Sequence, residues 1–251
     1  MTDLTGTVAV VTGGNQGIGL AMARGLAEAG ADVAVWGRAK DRNEDACAQL
    51  RAAGARALPV TCDVGDEDET RAAMEETVAE LGPLGCMIAN AGVARAVPLV
   101  DTTLDDWHAV LRTNLDGTFL SAREAARRFV AQGTGGSIVL VSSMVSRYGS
   151  AGQAAYATSK TGLLGLGRTL AVELARHKVR CNVLVPGWTR TAMNEQARED
   201  ERFMAATTAR TPVRRWADPE EFSQVAAFLA DPTLSFHTGA ELVVDGGYSV
   251  F

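Results

Sequence analysis

The chain has 251 residues, 47% hydrophobic and 22% charged, the balance of a globular protein with enough length for one α/β domain and a sizeable core. Its 24 Lys and Arg against 30 Asp and Glu leave a net charge of −6 with no basic block, so no nucleic-acid partner is expected. No uncharged apolar run reaches the ~18 residues of a membrane span, and the first residues lack the pattern of a signal peptide, so no membrane partner and a cytoplasmic location are expected.

Residues 7–11 are continuously apolar and β-branched, as in a strand buried on both faces. Gly13, Gly17 and Gly19 follow, with Asn15, Gln16 and Ile18 between them. An Ala/Leu-rich helix is expected over 20–29, closed by Gly30. Strand, glycine turn and helix in succession suit a pyrophosphate, because glycines admit close backbone approach and a helix N-terminus offers free N–H groups. The spacing is Gly-x-x-x-Gly-x-Gly rather than Gly-x-Gly-x-x-Gly. A second strand is expected over 32–36. An acidic residue at its end would accept from a ribose 2′-hydroxyl and repel a 2′-phosphate. Gly37 and Arg38 stand there instead, which favours NADP(H), with NAD(H) still possible.

A charged helix over 40–53 and a strand over 57–60 lead to Asp63, which either accepts from an adenine amine or caps a turn. A helix over 66–81 crowds acidic residues into its first turn, as the helix dipole prefers. The strand over 86–89 runs into Asn90, Ala91 and Gly92, small enough for backbone to pass close to a ligand. A long helix is expected over 103–132, opened by Thr103-x-x-Asp106 and interrupted by Asn114 and Gly117. A buried Asn there must find partners, and it can kink the helix or hold a water.

A strand over 137–141 ends just before Ser143. In the helix expected over 156–176, Tyr156 and Lys160 lie four residues apart, one turn along the same face. A free phenol titrates near ~10, and a cation one turn away is expected to lower that value. Tyr156 would then exchange a proton with an alcohol or ketone oxygen, and Ser143 would donate to the same oxygen. A strand over 179–185 is followed by Pro186, Gly187, Trp188, Thr189 and Thr191. The polar, weakly periodic stretch that follows reads as a lid of one or two short helices, within about 188–214. A helix over 218–229 and a strand over 241–244 complete the chain. Strand alternating with helix predicts one α/β domain over 1–251, with a mostly parallel, doubly wound seven-stranded sheet covered on both faces. The four cysteines, Cys47, Cys62, Cys86 and Cys181, lack metal-ligand spacing, so no metal is expected and they read as reduced core residues.

Thr12-Gly-x-x-x-Gly-x-Gly, Asp63, Asn90-Ala-Gly92, Asn114, Ser143, Tyr156-x-x-x-Lys160 and Pro186-Gly187, in this order, resemble the short-chain dehydrogenase/reductase family along essentially the whole chain. The resemblance implies a Rossmann-type fold and hydride transfer between a nicotinamide and a small secondary alcohol or ketone. It implies that Tyr156 is the acid/base, that Lys160 assists it and that Ser143 positions the substrate oxygen. Asn114 would hold a water relaying protons from Lys160. It places Gly13, Gly17, Ile18 and Gly19 about the pyrophosphate, Asp63 and Val64 at adenine, Asn90 to Gly92 along the cofactor, and Pro186, Gly187, Thr189 and Thr191 at the nicotinamide. A homotetramer, or a homodimer, is implied as well. Arg95, Val145, Gln153, Trp188 and Met193 are candidates to line the substrate pocket. A sugar, a sugar acid, a 3-oxoacyl thioester and a cyclic ketone all fit these residues. A silent NADP(H)-sensing regulator is the alternative from another class, disfavoured by the intact Ser143, Tyr156 and Lys160.

Overall fold

The computed structural model describes residues 2–250, so Phe251 of the apolar tail lies outside the described residues. Seven parallel strands form one sheet in the order β3-β2-β1-β4-β5-β6-β7. They are β1 (Val8–Thr12), β2 (Asp32–Gly37), β3 (Ala57–Thr61), β4 (Leu84–Ala89), β5 (Gly136–Val141), β6 (Val179–Pro186) and β7 (Glu241–Val244). The continuous apolar runs arise because both faces are covered. Val11, Val35, Ile88 and Val139 pack into one layer with helices α1 (Gly17–Glu28) and α9 (Ser223–Ala230). Their neighbours Val10, Ala34, Met87 and Ile138 point the opposite way, by the two-residue period of a strand. They pack with α3 (Glu67–Leu81), α5 (Gly117–Gln132) and α6 (Ala154–Leu174). Helix α2 (Lys40–Ala52) adds Ala46, Cys47 and Leu50 to the first layer.

Strand order reverses between β1 and β4, and such a reversal opens a crevice at the carboxyl ends of the strands. The long helix expected over 103–132 is two helices, α4 (Leu104–Leu111) and α5, joined by one π-helical turn, Arg112–Asp116, with Asn114 at its centre. Thr103 caps α4 as expected, accepting the Asp106 N–H at 3.1 Å. Beyond β6 the chain leaves the sheet for α7 (Glu195–Glu199) and α8 (Glu201–Arg210). It returns at Ala217, which bridges to Thr189. All four cysteines are free and buried, and among the described residues no helix is long and apolar enough to cross a membrane.

Candidate active site

The crevice is a cleft of about 860 Å³. On one side lies the glycine turn. Gly13 and Gly17 have φ of +64° and +52°, where L side chains are strained. A Cβ on Gly19 would stand 2.2 Å from the Gly13 carbonyl oxygen. The Thr12 hydroxyl accepts the N–H groups of Asn90 and Ala91, both at 2.9 Å, and the Asn90 amide donates to Thr12 O. Helix α1 starts without a side-chain cap or an acidic first turn, so its N–H groups stay available to an anion. This cradle, bare of side-chain carbons where the backbone turns, fits a dinucleotide pyrophosphate.

Asp63 Oδ1 accepts from Gly65 N at 3.0 Å and Oδ2 pairs with Arg112 at 3.3 Å, so its carboxylate caps the turn after β3. The Val64 side chain is buried against Gly117 and is not part of the cleft wall. Helix α2, which reads as a charged amphipathic helix, buries Asn43 completely. Asn43 donates to Gly37 O (2.7 Å) and Val60 O (2.9 Å) and accepts from Asn15 at 2.7 Å, tying the glycine turn to the ends of β2 and β3. Beside this knot Arg38 is exposed and makes no ion pair with another described residue.

Opposite, Ser143, Tyr156 and Lys160 share the cleft wall. Helix α6 sets the Lys160 ammonium 5.8 Å from the Tyr156 ring centre. Lys160 is buried and donates to the Val141 carbonyl at 2.8 Å, and burial pushes its pKa down to about 8. For Tyr156 the direction is the reverse of the expectation. Desolvation holds the phenol above its ordinary value, and only a hydrogen bond with Ser143 pulls it down. Asn114 lies behind the wall, where its amide binds both Val93 N (2.8 Å) and Val93 O (2.9 Å) and donates to Ser159. Gly92 passes between Asn114 and Lys160, since a Cβ on it would lie 3.4 Å from both Asn114 Oδ1 and Lys160 Nζ.

Val145, Gln153, Trp188 and Met193 line the cleft. Arg95 is not in the wall: its guanidinium bonds to Asp106 on α4. Arg147 and Arg190 are likewise drawn to Glu241 and Asp218. Asn194, Asp200 and Phe203 line the cleft without having been expected. Phe203 packs edge-on against Trp188 at 5.1 Å, and Trp188 stacks on Trp216 at 4.9 Å. A lone Phe in a charged stretch, and an Asp directly before α8, were the signals that could have found two of them.

Residues 13–249 match the family model described as enoyl-(acyl carrier protein) reductase. The chain is similar to a short-chain type dehydrogenase/reductase from Mycobacterium marinum, with 35% identity, TM-score 0.94, and 98% of this chain and 97% of that one covered. The chain belongs to the short-chain dehydrogenase/reductase family. It is an NAD(P)-dependent oxidoreductase of hydroxyl and carbonyl groups. Among its relatives in the family is a cis-4-hydroxycyclohexanecarboxylate dehydrogenase of Sinomonas cyclohexanicum, 42% identical with 96% of each chain covered. Another is a gluconate 5-dehydrogenase from Burkholderia cenocepacia, solved in complex with NADP and tartrate. It is 35% identical, with a TM-score of 0.95 and 99% and 97% of the two chains covered.

Proposed function

We propose that this family member prefers NADP(H) and interconverts a secondary alcohol and a ketone on a small hydroxylated compound, of the sugar, sugar-acid or cyclic hydroxy-acid type. The observation that carries the reading is the convergence of Ser143, Tyr156 and Lys160 on the cleft that the glycine turn lines. The free Arg38 beside Gly37, with no carboxylate at that strand end, supports the cofactor preference. The relatives acting on gluconate and hydroxycyclohexanecarboxylate support the substrate type.

The glycine turn and the Asn90–Gly92 backbone would hold the cofactor, with Pro186, Gly187, Thr189 and Thr191 at its far end. Bound there, the nicotinamide supplies or accepts the hydride. Tyr156 gives its phenolic proton to the substrate oxygen in reduction and takes it back in oxidation. The Ser143 hydroxyl donates to that oxygen as charge develops on it. Lys160 exchanges protons with Tyr156, and a water held at Asn114 links Lys160 to solvent. The segment 188–214 closes over the substrate. A homotetramer is part of this proposal, supported by the exposed Leu104, Phe119 and Val172 on α4, α5 and α6, and sedimentation velocity tests it.

The test of the reaction follows reduced-cofactor absorbance with keto sugar acids, cyclic keto acids, ketoses and an acyl-thioester mimic, each with NADPH and NADH. Turnover of a keto sugar acid or cyclic keto acid with NADPH, abolished in Tyr156→Phe while NADPH still binds, is the expected result. Turnover that survives Tyr156→Phe would overturn the assignment.

A further inference from the structure

We propose that Arg210 is a positioning residue that latches α8 onto the turn carrying Ser143, and so sets the shape of the substrate end of the cleft. This rests on reading the cleft as the active site.

Arg210 is the last residue of α8. Its guanidinium carbon lies 4.7 Å from the Tyr148 ring centre and 4.3 Å from that of Tyr248. The two rings meet edge to face at 6.0 Å, and Arg210 Nη1 reaches Tyr248 Oη at 3.5 Å. A cation within ~6 Å of a ring face is attracted by the ring quadrupole, and more strongly when partly desolvated. Arg210 meets two such rings and, among the described residues, no carboxylate. Arg147, Arg190 and Arg215 each have an acidic partner instead.

The three residues come from three separate parts of the chain. Tyr148 follows the 3₁₀ turn Met144–Ser146 that begins at Ser143, and Ser150 and Gln153 of the same loop line the cleft. Tyr248 lies in the last turn of the chain. Helix α8 supplies Phe203 to the cleft, and Asp200 caps the helix there. The middle of α8 is held to the base of the segment by Trp216 Nε1, which donates to Thr207 at 2.9 Å. Arg210 joins the helix to the loop that follows the catalytic turn. A cation at a helix C-terminus is favourable by itself, but the dipole does not require two tyrosines from distant segments.

The test compares wild type, Arg210→Ala, Arg210→Lys and Tyr148→Leu in two independent ways. The first is native-state cleavage by a glutamate-specific protease at Glu195, Glu199 and Glu201, which needs no substrate and leaves a failure of the functional reading distinguishable. The second is steady-state kinetics on the best carbonyl of the panel, with NADPH affinity measured by fluorescence. Arg210→Ala is expected to speed cleavage and raise KM by about tenfold, the factor that two partly buried cation–π contacts amount to, and Tyr148→Leu, which removes one of the two, by about threefold. The values of kcat and NADPH affinity should stay within about twofold, and Arg210→Lys, which keeps the cation, should fall between. Wild-type cleavage and KM in folded Arg210→Ala would overturn the proposal, as would a lysine variant no better than alanine. Should Arg210→Ala fail to fold, Tyr148→Leu decides by the same two measurements.

Discussion

Gly37→Asp places at the end of β2 the acidic residue that would select a 2′-hydroxyl over a 2′-phosphate. In this chain the position is crowded. A Cβ there would come within 2.6 Å of Asn15 Nδ2 and 2.7 Å of Asn43 Oδ1. Asn43 is fully buried and held by two carbonyls, so Asn15 must give way, breaking its 2.7 Å bond to Asn43. Loss of that bond costs about 1 kcal/mol and the overpacking about 1–3 more. For a domain of this size, each kcal/mol shifts Tm by roughly 2–4 °C. We expect a Tm lower by roughly 4–16 °C. We also expect weaker NADPH binding and no gain in NADH affinity, because the carboxylate disturbs the glycine turn that either cofactor needs. Calorimetry and fluorescence titration with both cofactors check this. Asn15→Gly on the same background should recover part of the loss. If Gly37→Asp kept the wild-type Tm and bound NADH more tightly, the packing reasoning would be refuted.

Three other outcomes are expected. Gly19→Ala should weaken NADPH binding by at least about tenfold, since a methyl 2.2 Å from the Gly13 carbonyl distorts backbone that a side-chain rotation cannot relieve, and titration reads it directly. The pKa of Lys160 falls from 10.5 unfolded to about 8 folded, so between these values the unfolded chain holds a proton that the folded chain has lost, and stability rises with pH across the window. Relative to Lys160→Met, wild type should gain about 3 kcal/mol from pH 8 to pH 10.5, and parallel urea curves for the two proteins would contradict it. With its phenol held above the ordinary value, Tyr156 is protonated at neutral pH. Ketone reduction should therefore hold steady through neutral pH, while alcohol oxidation climbs into the alkaline range without levelling below about pH 10, as pH–rate profiles in both directions would show.

The strands were legible because a sheet covered on both faces writes itself as uninterrupted apolar runs, and the Tyr156–Lys160 pair because helical spacing puts it on one face. Features that depend on distant partners were not legible. The side chain of Arg95 is claimed by Asp106 on the next helix. Asn43 sits in the charged half of its helix, and only contact with two strand ends explains its burial. The Trp188–Phe203–Trp216 cluster joins three positions with no periodic relation. The direction of the Tyr156 shift failed for a related reason. A neighbouring cation is visible in sequence, but the burial that raises the phenol is a property of the assembled cleft.

The π turn at Arg112–Asp116 holds one residue more than an α-helix would need to cover the same path. Removing one residue there would restore α-helical pairing and rotate everything upstream of the deletion by roughly 100° relative to α5. Asn114 would lose its double grip on Val93 and its place beside Gly92. A redesign scored only on regularity and helix propensity would favour that shortened chain. Local regularity and tertiary fit therefore pull in opposite directions at this turn: the extra residue costs the helix its register and gives a fully buried amide its three partners.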